Sequence, residues 1–152
     1  MSKKKILIVI ALLIAIIGLT ILTIGLLNKE KSITCSGTEN KNGTDQTITI
    51  KYNYDNKGQV IKSIDYTIEL NGTMDDEQLA ASKIMFENTI CSPTKPANVT
   101  CDIKVAKNNI KVITHEEIKE NKSTLLGLED LDKLTYEVNK ENNKDNKECK
   151  FN

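Results

Sequence analysis

The stretch Thr47–Leu70, TITIKYNYDNKGQVIKSIDYTIEL, contains the clearest structural pattern of the chain. Apolar and polar side chains alternate through residues 47–54 and again through residues 60–70, which is typical of two half-buried strands. Between them, Asp55 to Gly58 form a turn sequence whose glycine suits a positive φ. The stretch therefore predicts a β-hairpin with one apolar face.

The same alternation returns further along the chain and predicts a second hairpin. Residues 99–105 and 110–114 alternate, and an Asn-Asn pair between them fits a tight turn. A helix is expected between the hairpins, ending near residue 90, with Thr73 or Asp75 as its cap, because the acidic residues 75–77 suit a helix N-terminus. We prefer this interpretation of the acidic triplet to a metal site or a catalytic carboxylate pair.

Together these elements predict an α+β domain with an antiparallel four-stranded sheet, made of two hairpins, packed against one or two helices. A second helix is expected around Leu128 to Val138, with Thr135 as a cap before Tyr136. The first helix should cover the inner face of the sheet. That face should carry Ile48, Ile50, Tyr52, Ile64, Tyr66, Ile68, Val99, Ile103, Val105, Ile110 and Val112.

A long apolar run precedes this domain and predicts a membrane anchor. Residues 6–27 are 22 uncharged residues, and a helix of that length reaches about 33 Å, against roughly 30 Å of hydrocarbon. Three lysines in residues 1–5 should keep the N-terminus cytoplasmic. The expectation is a single-pass protein of the cell membrane, with a tether at residues 28–46 and an extracellular domain at residues 47–152. A cleaved secretory signal is the alternative.

Small residues in the apolar run also predict a surface for self-association. Ala11, Ala15, Gly18 and Gly25 fall on one side of a helix, and small side chains let two membrane helices approach closely. The alternative is a plain anchor, because alanine and glycine are common in membrane helices.

The four cysteines, Cys35, Cys91, Cys101 and Cys149, predict two disulfides. Three pairings are possible, and we expect Cys91 with Cys101 across a short loop and Cys35 with Cys149 across the ends of the domain. Zinc ligands usually lie two to four residues apart and redox cysteines usually form a Cys-x-x-Cys motif. Neither spacing occurs, so no metal site is expected.

Composition argues against several functions. Every basic residue is a lysine, and residues 28–152 carry 18 lysines against 21 acidic residues, a net charge of −3. Nucleic-acid binding favours a basic face and arginine, so it is not expected. His115 is the single histidine and has no marked nucleophile nearby. We therefore predict no catalytic residues and no cofactor, although His115 beside a carboxylate in a cleft would favour an enzyme.

Short patterns in the domain resemble a known family. Thr34-Cys35, Leu134–Glu137 and Glu148–Phe151, with the order of the elements, are similar to the YehR-like family of small exported bacterial lipoproteins, which has no established activity. The chain departs from that family at the lipid box, because Ser32, Ile33 and Thr34 do not form one before Cys35. The resemblance therefore implies an exported protein that is anchored rather than lipidated.

These observations predict a membrane-anchored extracytoplasmic domain that acts as a non-catalytic binding or cell-envelope interaction module. Its partners would be the membrane, through residues 6–27, and a protein at the cell envelope. The alternatives are an accessory subunit of a membrane complex and an enzyme with an unrecognised site.

Overall fold

The computed structural model describes residues 30–152 of the protein. In chain order the elements are β1 (Ser32–Lys41), β2 (Thr44–Tyr54), β3 (Ile61–Gly72), α1 (Asp76–Thr89), β4 (Val99–Ala106), β5 (Asn109–Glu117), a 3₁₀ turn (Leu131–Lys133), α2 (Tyr136–Asn143) and β6 (Cys149–Phe151).

The strands form one six-stranded sheet in the order β4-β5-β3-β2-β1-β6, and every neighbouring pair is antiparallel. The predicted four-stranded sheet is therefore wrong, although β2 to β5 are the four strands that alternation indicated. β1 occupies most of the expected tether at residues 28–46. Its polar sequence, SITCSGTENK, lacks the apolar alternation that would have predicted a strand paired with β2. β6 has only three residues, too few to show a period.

The prediction of a single-pass membrane protein is also corrected. No helix within residues 30–152 is long and apolar enough to cross a bilayer. The predicted anchor at residues 6–27, with its stripe of Ala11, Ala15, Gly18 and Gly25, lies outside the described residues.

Glycine and asparagine set the turns between the first three strands. Asn42 and Gly43 connect β1 to β2 with φ values of 54° and 81°, the pair of positive angles that a two-residue type I′ turn requires. Gly58 has a φ of 73° in the turn between β2 and β3, which confirms the positive φ expected there. Asp55 Oδ1 accepts hydrogen bonds from the backbone of Gln59 and Val60 and holds this turn closed.

A capping residue starts each helix. Of the two candidates for α1, Thr73 and Asp75, the structure uses Asp75. Asp75 caps α1 with a capping box, because its carboxylate accepts a bond of 2.8 Å from the Gln78 backbone N–H and the Gln78 side chain accepts one of 3.1 Å from the Asp75 backbone N–H. The acidic triplet at residues 75–77 is thus explained by its place at the N-terminus of α1.

The second helix, expected around Leu128 to Val138, is instead the 3₁₀ turn Leu131–Lys133 followed by α2, which starts after Thr135. Thr135 caps α2 by accepting from the backbone N–H of Val138.

The strand register places the apolar side chains on one face, here called the inner face. Ile48, Ile68 and Val112, for example, are direct neighbours on β2, β3 and β5. Two hydrophobic cores lie on this face. The expectation that α1 alone covers it is therefore wrong. The α1 core contains Ile68, Leu79, Phe86, Ile110 and Val112, and the C-terminal core contains Ile33, Tyr54, Ile61, Ile64, Leu131 and Tyr136.

Candidate binding cleft

A cleft of about 520 Å³ opens on the inner face between the two cores. Its floor is formed by Tyr66 of β3 and Val99 of β4. One wall consists of the C-terminal end of α1 and the loop that follows it, and the other consists of residues 124–126. Apolar and hydroxyl side chains mix in the lining, which is the composition typical of small-molecule sites.

Tyr66 supplies the largest polar side chain of the floor. It is half-buried, and burial raises the pKa of its hydroxyl above the usual value of 10.0. The hydroxyl is therefore neutral at physiological pH and can donate or accept a hydrogen bond. The neighbouring Thr114 on β5 is completely buried, and its hydroxyl donates to the Tyr66 carbonyl at 2.9 Å, which ties β5 to the floor strand β3.

The first wall is closed by a disulfide. Cys91 and Cys101 are bonded across a sequence separation of 10, and the loop between them carries the lining residues Ser92, Thr94, Lys95 and Pro96. Within this loop, the Lys95 backbone N–H donates to the carbonyl of Ser92 at 3.0 Å. The hydroxyls of Ser92 and Thr94 are hydrogen-bonded at 2.8 Å. The wall is thus a constrained loop and not a free one.

The second wall is held by a buried carboxylate that the sequence analysis missed. Glu116 on β5 is 0% exposed. Its carboxylate accepts hydrogen bonds from the Ser123 hydroxyl at 2.5 Å, the Thr124 backbone N–H at 2.8 Å and the Leu125 backbone N–H at 3.3 Å. These three bonds offset the cost of burying the charge and fix the wall. The sequence does contain a signal for its burial. Residues alternate between the two faces of β5, and Glu116 falls on the same face as the buried Ile110, Val112 and Thr114.

Lys95 is the charged side chain of the lining. It is half-buried, and within residues 30–152 no carboxylate lies within 4.0 Å of its ammonium group. The cleft therefore presents a positive charge that no ion pair in the described part of the chain neutralises.

His115 lies on the other face of the sheet. Its Nδ1 is 2.6 Å from Oδ1 of Asp65, its direct neighbour in the register, and Asn53 donates to the same carboxylate at 2.8 Å. The side chains of His115 and Asp65 are 41% and 34% exposed. In the described residues no serine, threonine or cysteine side chain is hydrogen-bonded to the ring. The pair therefore lies on an open strand surface and not in a cleft, and the absence of enzymatic activity stays a prediction.

The four cysteines are the predicted site residues. The structure contains disulfides Cys35–Cys149 and Cys91–Cys101, and the first joins direct neighbours on β1 and β6. Among residues 30–152, no group of three or more His, Cys, Asp and Glu side chains is placed to hold a metal ion. The structure thus brings two predicted disulfides together, and one of them borders the cleft.

No family model, curated protein or solved structure matches this chain. The resemblance to the YehR-like lipoproteins therefore stays a prediction from short sequence patterns.

Proposed function

We propose that this protein is a non-catalytic binding module that holds a small, largely apolar molecule in the inner-face cleft. The supporting observation is that both walls are fixed in advance, one by the Cys91–Cys101 disulfide and the other by Glu116. Disulfides are typical of oxidising compartments, which suits a domain that acts outside the cytoplasm.

Fixed walls favour binding because ordering a loop on association lowers affinity. A buried carboxylate is an expensive way to hold a surface loop, since the same face could carry an apolar residue at that position. The Glu116 contacts place Leu125 beside the floor. The cost of burying Glu116 is explained if a ligand requires the second wall to be held in this position.

The lining indicates the kind of molecule that fits. Ile90, Val99, Leu125 and Leu126 offer apolar surface on the floor and both walls. Hydroxyl-bearing residues complete the lining: Tyr66, Thr89, Ser92, Thr94 and Thr124. Such a mixture binds an apolar body and orients it through a few hydrogen bonds.

The test is a titration of the isotope-labelled full-length protein with 1-octanol, an uncharged probe with an apolar chain. We expect saturable amide chemical-shift changes at Val99, Leu125 and Leu126. The variant Thr124→Trp fills the cleft and should abolish these changes. Thr100→Trp, at an exposed position of β4 outside the cleft, is the matched control and should keep them. Equal binding by Thr124→Trp would contradict the proposal, and so would absent or unsaturable changes with 1-octanol and with the two charged eight-carbon probes, octanoate and octylammonium.

A further inference from the structure

We infer that the ligand of the cleft is a small amphipathic carboxylic acid whose anionic head is bound by Lys95. This inference rests on the proposed binding function and adds the chemical class of the ligand. The combination that supports it is an unpaired ammonium group on the first wall and apolar side chains on the opposite wall.

The charge of Lys95 is available to a ligand. The Glu116 carboxylate is 0% exposed and is already engaged by three donors of the second wall. Within residues 30–152, no carboxylate forms an ion pair with Lys95. A half-buried cation is screened less than one in open solvent, so it favours an anionic ligand over a neutral one.

Hydroxyl groups beside Lys95 can complete an anion site. Ser92 and Thr94 share one hydrogen bond of 2.8 Å, which uses the proton of only one hydroxyl. The second proton remains free to donate to a carboxylate. Lys95 and these two hydroxyls lie on the same loop, which the Cys91–Cys101 disulfide constrains.

The rest of the cleft suits the body of such an acid. Leu125 and Leu126 face the site from the second wall, and Val99 lies on the floor. A molecule with its carboxylate at Lys95 would extend its apolar part across the floor toward these side chains. The volume of about 520 Å³ lies within the range of small-molecule sites.

The test compares three probes with the same eight-carbon chain on the full-length protein at one salt concentration. Octanoate is anionic at neutral pH, 1-octanol is uncharged and octylammonium is cationic. We expect octanoate to bind roughly tenfold more tightly than 1-octanol, the effect of one charge-assisted hydrogen bond. Octylammonium should bind most weakly.

Three variants assign this preference to one residue. Lys95→Gln should remove the difference between octanoate and 1-octanol, and Lys95→Arg should keep it. Lys107→Gln removes the same charge from an exposed turn between β4 and β5 and should behave like the wild type. Circular dichroism melting of each variant checks that it is folded.

The outcomes separate this inference from the proposed function. If 1-octanol binds but octanoate binds no better, the ligand is not an anion; if Lys95→Gln keeps the preference for octanoate, Lys95 does not bind the head. Either result overturns this inference and leaves the binding module in place. If none of the three probes binds in the cleft, the proposed function fails and the inference fails with it.

Discussion

Glu116 combines an ionisable side chain with complete burial on the inner face of β5. Its neighbour Glu117 is exposed, because successive residues of a strand point to opposite faces. Two adjacent residues of the same type therefore have different roles. Glu116 anchors a loop through three hydrogen bonds, and the side chain of Glu117 is in solvent.

This contrast predicts unequal effects of the same substitution. Glu116→Gln should lower the free energy of unfolding by about 2 kcal/mol, because an amide cannot accept three bonds as strongly as a carboxylate and its NH₂ group opposes N–H donors. Glu117→Gln should change the free energy of unfolding by less than about 0.5 kcal/mol. Chemical denaturation measures both values, and equal losses would show that the Glu116 contacts do not hold the loop.

Gly58 combines a positive φ with a close approach of neighbouring residues. A Cβ atom there would lie 2.8 Å from Cδ of Lys31 and 2.9 Å from Cβ of Tyr136. The Gly58 carbonyl also accepts a bond of 2.8 Å from the Tyr136 backbone N–H. The turn after β2 is thereby packed against the start of α2, where only glycine fits.

Gly58→Ala should accordingly destabilise the protein by about 2 to 4 kcal/mol, from backbone strain and overpacking together. Gly43→Ala is the control, because its φ of 81° imposes the strain but no atom lies within 4 Å of the added Cβ. It should cost about 1 kcal/mol. Thermal melting compares the two variants, and a Gly43→Ala loss as large as that of Gly58→Ala would remove the packing argument.

Among the elements, the two disulfides act on different parts of the structure. Cys35–Cys149 spans 114 residues and joins β6 to the edge of β1 that does not pair with β2. Cys91–Cys101 spans 10 residues and closes the loop that forms the first wall of the cleft. One bond therefore joins distant segments of the chain, and the other shapes a local wall.

Removal of each bond should separate these roles. In the chain-entropy model, replacing both Cys35 and Cys149 with alanine costs up to about 5 kcal/mol, and replacing Cys91 and Cys101 costs up to about 3 kcal/mol. Amide exchange should accelerate at β6 in the first variant and at residues 92–98 in the second. The opposite pattern of exchange, or a larger loss for the shorter loop, would contradict this assignment.

At the scale of the whole molecule, the two cores share their strands. β3 contributes Ile64 to the C-terminal core and Ile68 to the α1 core. Its hydrogen-bonded neighbours β2 and β5 flank it along this length. A core cannot lose its packing without disturbing the strand that also supports the other one.

We therefore expect a single cooperative unfolding transition. Tyr54 and Tyr136 pack edge to face in the C-terminal core with ring centroids 5.6 Å apart, and Tyr52 packs against the same core. Tyr66 packs against the α1 core, so in a Tyr66→Phe variant the near-ultraviolet circular dichroism of the tyrosines reports on the C-terminal core. Far-ultraviolet dichroism reports on the sheet and helices. The two signals should change with the same midpoint, and loss of the tyrosine signal at lower temperature would show that the cores unfold separately.

Local patterns along the chain were sufficient to predict β2 to β5 and the positive φ of Gly58, and to narrow the cap of α1 to Thr73 or Asp75, of which the structure uses Asp75. Each depends on residues close together in sequence: an alternation of period two, a capping residue or a turn glycine. Cysteine count and position were likewise enough to propose the two disulfide pairs that the structure contains.

The six-stranded sheet and the cleft could not be predicted in this way. β1 is polar, and it is a strand because β2 and β6 provide its backbone hydrogen-bond partners, the latter more than 100 residues away. Glu116 is stable in the interior because the loop of residues 123–125 surrounds its carboxylate with donors. Such features depend on which distant segments meet. A strand of low apolar content or a buried charge is stabilised by its partners, and those partners are known only once the chain has folded.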